Sequence, residues 1–132
     1  MQAIIIDENE TDVLFYEYFI QSHFDDCKIK NYNCPQRFID DLSRWKTPVP
    51  DFILSDYHKG KFNGTSFLRA VEVIKQKNKI LDHKLNVFLI SSNLRLKKNK
   101  DEMPEVLKGF IKKPLKKKDL NTLVRHIKKN LK

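Results

Sequence analysis

Three carboxylates, a hydroxyl and an ammonium stand at the ends of short oily runs in this 132-residue chain. Asp7 and Glu8 follow the run 3–6, and Asp56 closes the run that begins at Phe52. Ser91 follows 87–90, and Lys113 comes soon after Phe110 and Ile111. Together these groups suit phosphoryl chemistry. An aspartate carboxylate can act as a nucleophile and become an acyl phosphate. A phosphoryl dianion approaching clustered carboxylates is repelled, and a hard divalent cation such as Mg²⁺ between them would remove that repulsion. A lysine adds a point charge at a phosphoryl oxygen and a serine adds a hydrogen bond. Such transfer depends mostly on positioning and charge stabilisation. Each residue alone also has a plainer role. Asp7 and Glu8 could favour a helix start, Asp56 could open a turn, Ser91 could be a small strand-end residue, and Lys113 a solvated lysine.

Gaps of 49, 35 and 22 residues separate Asp7, Asp56, Ser91 and Lys113, so only the fold can gather them. The runs 3–6, 52–55, 87–90 and 110–111 are short and continuously apolar, as expected for strands buried on both faces. Residues 27–32 alternate loosely and suit an edge strand. Between the strands lie helical spacings. Leu14, Phe15, Tyr18 and Phe19 form one stripe, and Phe38, Ile39, Leu42 and Trp45 follow Pro35 on another. Phe67, Leu68, Val71 and Ile74 form a third, after Gly64. Leu120, Leu123, Val124, Ile127 and Leu131 give the clearest amphipathic helix. Residues 94–107 are polar and lysine-rich with Pro104 near the end, so any helix there is short and weak. Five strands alternating with five helices predict one doubly wound α/β domain over 1–132, its strands parallel and its crossovers right-handed. In such sheets the ligand sits beyond the carboxyl ends of the strands. Asp7, Glu8, Asp56, Ser91 and Lys113 all belong to that edge.

At these residues the chain resembles the receiver domain of bacterial two-component response regulators. The matching features are the acid pair Asp7-Glu8, Asp56, Ser91, the dipeptide Lys113-Pro114, and the length of "DYHKGKFNG" from Asp56 to Gly64. Each motif alone is weak, but five in order span nearly the whole chain. The resemblance implies a flavodoxin-like sheet of order 2-1-3-4-5. It also implies a phosphoacceptor at Asp56, served by Lys113 and Ser91, and Mg²⁺ held by Asp7, Glu8, Asp56 and the backbone carbonyl of His58. The His58 side chain is expected to face solvent. A receiver of this kind catalyses its own phosphorylation and dephosphorylation. The resemblance further implies a switch made of Ser91 and Phe110, with Phe110 filling the space that Ser91 leaves. The donor would be a histidine kinase or a histidine phosphotransfer protein, and output would come from binding a partner or passing the phosphoryl group on. Three departures stand out. Glu8 replaces a common Asp and carries an extra methylene, Gly60 replaces a frequent proline, and Asn63 replaces a frequent acid.

The charge is uneven. Residues 1–94 carry 12 Lys and Arg against 13 Asp and Glu, whereas residues 95–132 carry 14 against 4, a net of +10. This last third is either a solvated face or a docking face for an acidic downstream partner. Nucleic acid is disfavoured, because the lysines lack interleaved aromatics or a binding motif. Cys27 and Cys34 form no CxxC pair and read as reduced packing residues of a cytoplasmic protein. No apolar run approaches the ~20 residues that span a bilayer, and the start lacks a signal-peptide pattern. The 132 residues hold no DNA-binding or enzymatic output domain. A receiver-like scaffold that is never phosphorylated, and a basic nucleic-acid-binding domain, are the competing readings.

Overall fold

A computed structural model describes residues 1–56, 64–79, 85–91, 104–113 and 115–131, with residues 64 and 65 as backbone only. The chain runs β1 (Gln2–Ile6), α1 (Glu10–His23), β2 (Lys28–Tyr32), α2 (Pro35–Ser43), β3 (Phe52–Asp56), α3 (Gly64–Lys77), β4 (Asn86–Ser91), β5 (Leu107–Lys112) and α4 (Lys117–Asn130). The five strands form one sheet of order β2-β1-β3-β4-β5. Every pairing is parallel. The expected order is therefore borne out. Four helices lie among the described residues. The weak helix expected near 94–107 falls mostly on 92–103, outside them.

The continuous apolar strands have the anticipated cause. In β1, Ala3 and Ile5 pack toward α1 and α4, with Phe52, Leu54, Phe88 and Ile90 beside them. Ile4 and Ile6 point the other way, toward Phe38 and Leu42 of α2 and Phe67, Leu68 and Val71 of α3. Alternate residues thus serve two cores, so neither parity can be polar. Only β2, at the edge, exposes most of its residues.

Four local expectations need correction. First, α1 buries Val13, Tyr16, Phe19 and Ile20, whereas Leu14 and Tyr18 are 66% and 76% exposed and Phe15 is 44% exposed. Apolar residues line both sides of this helix, so spacing alone could not choose its inner face. Second, Trp45 does not continue the α2 stripe. The helix ends at Ser43, and Trp45 adopts a left-handed φ of 58° with its ring exposed. Third, the last strand begins at Leu107, before the expected Phe110. Leu107 N–H donates to the Pro104 carbonyl, closing a turn that feeds the strand. Fourth, Leu131 lies just past the end of α4, partly buried against the core with Leu120; Leu123, Val124 and Ile127 are the fully buried contacts.

One irregularity helps set the site. Val87 pairs with Leu107, but Phe88 pairs with Gly109, so Lys108 is an extra residue in β5. A single inserted residue changes which face every later side chain meets. Gly109 is required where the bulge closes: a Cβ there would lie 2.8 Å from the Phe88 ring. Beyond the bulge, Ser91 pairs with Lys112, and Lys113 N–H donates to the Ser91 carbonyl at 2.8 Å. No helix among the described residues is long and apolar enough to cross a membrane.

Candidate functional site

The carboxyl edge of the sheet brings Asp7, Asp56 and Lys113 together. Asp7 directly follows β1 and is 2% exposed. Its N–H donates to the Tyr32 carbonyl at 3.0 Å, which ties it to the end of β2. Its Oδ1 accepts the Asn9 N–H at 2.9 Å, inside the turn that leads to α1. Its Oδ2 is buried and has no hydrogen-bond partner. Asp56 ends β3, the strand between β1 and β4, and so sits at the middle of the edge.

Lys113 reaches in from the end of β5. Its Nζ lies 3.0 Å from Asp56 Oδ1, 3.4 Å from Asp12 Oδ2 and 3.9 Å from Asp7 Oδ2. Three carboxylates thus share one ammonium, leaving a local charge of about −2 when all are ionised. Burial pushes the Asp7 carboxyl above its usual range, and the nearby charges of Asp56 and Asp12 add to this. The Asn9 hydrogen bond and Lys113 oppose it. Burial works against the charged form of Lys113, but the hydrogen bond to Asp56 and the charges of Asp56, Asp7 and Asp12 outweigh it and raise its pKa. The buried Tyr16 phenol is held neutral by burial first, then by Asp12, Asp7 and Asp56.

The remaining expected residues divide. Ser91 ends β4, is buried, and is bound to Lys113 through the backbone. Phe110 is half-buried in β5, opposite Leu89 and against the core shared with α2 and α3. Glu8 is exposed and lines a cleft of about 790 Å³ between α1, β2 and α2, with Leu14, Asn31, Arg37 and Arg44 among its neighbours. His58, Gly60, Asn63 and Pro114 lie outside the described residues. Cys27 is a buried packing residue, as expected.

Asp12 and Tyr16 were not legible as site residues. Asp12 stands in the first turn of α1, where an acid is usually read as a helix-dipole residue. The available signal was position. That turn begins at the same sheet edge, and Asn9 Oδ1, accepting the Asp12 N–H at 3.1 Å, fixes how the helix starts.

A buried Asp7 Oδ2 without a hydrogen-bond donor, only distantly countered by Lys113 at 3.9 Å and within the field of Asp56, suits a hard cation. Asp7 and Asp56 therefore fit such an ion. Among the described residues, no three carboxylate, imidazole or thiol groups are gathered closely enough to hold a metal.

Comparison of folds is decisive at the level of architecture. A response regulator receiver domain protein from Clostridium thermocellum superposes with a TM-score of 0.70 and 16% identity, over 98% of this chain and 93% of that one. The fold is that of response regulator receiver domains. The chemotaxis response regulator CheY4 of Vibrio cholerae gives a TM-score of 0.70 at 13% identity, over 96% and 97% of the two chains. The receiver domain of a Pseudomonas aeruginosa sensor histidine kinase gives 0.69 at 14% identity, over 96% and 97%, and was solved with magnesium in its active-site cleft. No protein-family model and no curated protein sequence matches the chain. The receiver fold is thus kept at a sequence identity of 12–18%.

Proposed function

We propose that this chain is a phosphoacceptor. It takes a phosphoryl group on Asp56 from a histidine kinase or a histidine phosphotransfer protein, and signals by binding a partner differently once phosphorylated. The observation that carries this reading is the Lys113 ammonium 3.0 Å from Asp56 Oδ1 at the carboxyl edge of a receiver fold. In the transfer, a carboxylate oxygen of Asp56 attacks phosphorus. The bond from phosphorus to the donor imidazole breaks, its electron pair returns to the ring nitrogen, and a mixed anhydride forms on Asp56. Lys113 balances charge growing on the phosphoryl oxygens, and Ser91 offers a hydroxyl from the adjacent strand end. Mg²⁺, when bound, neutralises the carboxylates and the phosphoryl oxygens together. Asp7 and Asp56 would hold it here, with Glu8 and the His58 carbonyl completing the set that the resemblance implies.

Ser91 and Phe110 supply the two-state element of the proposal. Their strands are adjacent, and the backbone bond from Lys113 to Ser91 couples this element to the site. Phe110 has no hydroxyl, so its alternative positions differ by packing alone. Phosphorylation shifts that equilibrium only by its differential affinity for the two states.

The test is intact mass after incubation with acetyl phosphate and Mg²⁺. Wild type should gain one phosphate, and Asp56→Asn should gain none. Gain of phosphate by Asp56→Asn at the wild-type rate would move the acceptor elsewhere. No gain by wild type from a small donor, nor from a histidine-phosphorylated protein, would leave a receiver-shaped scaffold.

A further inference from the structure

The Lys113 ammonium has two hydrogen-bonding anions, not one. Asp56 Oδ1 lies at 3.0 Å and Asp12 Oδ2 at 3.4 Å. Asp12 comes from α1 and lies 101 residues away in sequence from Lys113. We propose that Asp12 is a positioning residue that competes with Asp56 for the Lys113 ammonium and so slows phosphorylation of Asp56. This rests on Asp56 being the phosphoacceptor.

Three physical points support it. A cation divided between two carboxylates exerts less field on either, so Asp12 weakens what Lys113 offers Asp56 and an arriving phosphoryl oxygen. Asp12 also adds its own negative charge. Its side chain is 38% exposed against 23% for Asp56 and 2% for Asp7, so it is the most solvent-facing of the three carboxylates around the ammonium. An anionic donor approaching from water therefore meets Asp12 before the two more buried carboxylates, although water and salt also screen it more than them. Finally, Asp12 is held in place. Its N–H is capped by Asn9 Oδ1, and Asn9 N–H is bound to Asp7 Oδ1. The start of α1 is thus braced against the site it restrains.

The decisive variant is Asp12→Asn, which keeps size and loses charge. Its phosphorylation rate should rise about threefold to tenfold with acetyl phosphate, a dianion, which is what removing one unit charge at this range yields through partly screened protein. With phosphoramidate, which carries less negative charge, the gain should be smaller. Asp12→Glu should return the rate toward wild type, because it restores a carboxylate. Glu10→Gln, which removes another first-turn acid outside the Lys113 pairing, should change the rate by less than about twofold. A double-mutant cycle of Asp12→Asn and Lys113→Met, read as urea unfolding midpoints without Mg²⁺, should be non-additive.

A slower or unchanged Asp12→Asn overturns the proposal, as does equal acceleration with both donors or an additive cycle. If wild type takes no phosphate from any donor, the phosphoacceptor reading itself falls. If wild type takes phosphate and Asp12→Asn behaves like it, only the role of Asp12 falls.

Discussion

Helices α1 and α4 cover the same face of the sheet, yet they meet solvent differently. α4 buries a narrow stripe of Leu123, Val124 and Ile127 and leaves Lys117, Lys118, Arg125, Lys128 and Lys129 exposed. α1 buries Val13, Tyr16, Phe19 and Ile20 and still presents Leu14, Phe15 and Tyr18 outward. In α4 the polar face tells the apolar face where to point. In α1 apolar residues sit on both the buried and the exposed side among Thr11, Glu17, Gln21 and Ser22, so its own pattern does not single out the inner face. One helix therefore carries its rotation in its own sequence, and the other receives it from its surroundings.

The largest expected effect separates two leucines that periodicity alone treats alike. Leu123→Ala removes a side chain that is 1% exposed and should cost about 2–5 kcal/mol of unfolding free energy. Leu14→Ala, at 66% exposure, should stay within about 0.5 kcal/mol of wild type. Urea denaturation of both variants measures the contrast, and a costly Leu14→Ala would mean that α1 is rotated from the orientation described. Next in size is Gly109→Ala, where the bulged β5 meets Phe88 beneath α4. An added methyl at 2.8 Å from that ring should cost about 1–3 kcal/mol by the same measurement.

The same contrast explains what was legible. Strand order, parallel pairing and the convergence of Asp7, Asp56, Ser91 and Lys113 on one edge could all be inferred, because buried runs and strand-end residues are local in sequence. Asp12 could not be placed, since its partner Lys113 is chosen by the start of α1 and by the bulge in β5 together. Trp45 was misread because the end of α2 is set by a left-handed turn that no single residue type announces. Glu8 lines the same cleft as Asp7 but is exposed where Asp7 is buried, a difference that adjacency in sequence does not announce.

At the site, the prediction concerns pH. Asp7 has a folded pKa raised above its ordinary value of 3.8. The folded state then holds this proton more tightly than the unfolded state does. Stability falls as pH rises from the ordinary value through the folded one, and the cost persists at neutral pH. Asp7→Asn should therefore stabilise the apo protein at pH 7, with the gain vanishing in acid. Lys113 has the opposite sign. Its raised pKa stabilises the fold at neutral pH, and that contribution is lost as pH climbs past 10.5 through the folded value. Unfolding midpoints of wild type, Asp7→Asn and Lys113→Met across pH check both. Mg²⁺ should raise the wild-type midpoint and leave Asp7→Asn unmoved, because a ligand of the folded state stabilises it only where it binds.

The smallest effect on stability, and the one closest to output, returns to α4. Lys117→Glu with Arg125→Glu alters two exposed side chains and should shift the unfolding free energy by no more than about 0.5 kcal/mol. Yet this exposed basic face is the expected docking surface for an acidic partner. Rim charges act chiefly on encounter, so wild-type association should slow as salt rises, and the double reversal should slow it at low salt and flatten that dependence. Association rates for a partner recovered with phosphorylated wild type, measured at two salt concentrations, decide the point. Equal capture by phosphorylated and unphosphorylated protein, with no change on charge reversal, would leave the lysines of α4 a solvated face. The exposed Leu14, Phe15 and Tyr18 of α1 would then be the next surface to test, by the same capture with Leu14→Ala and Tyr18→Ser, two substitutions expected to leave folding nearly untouched.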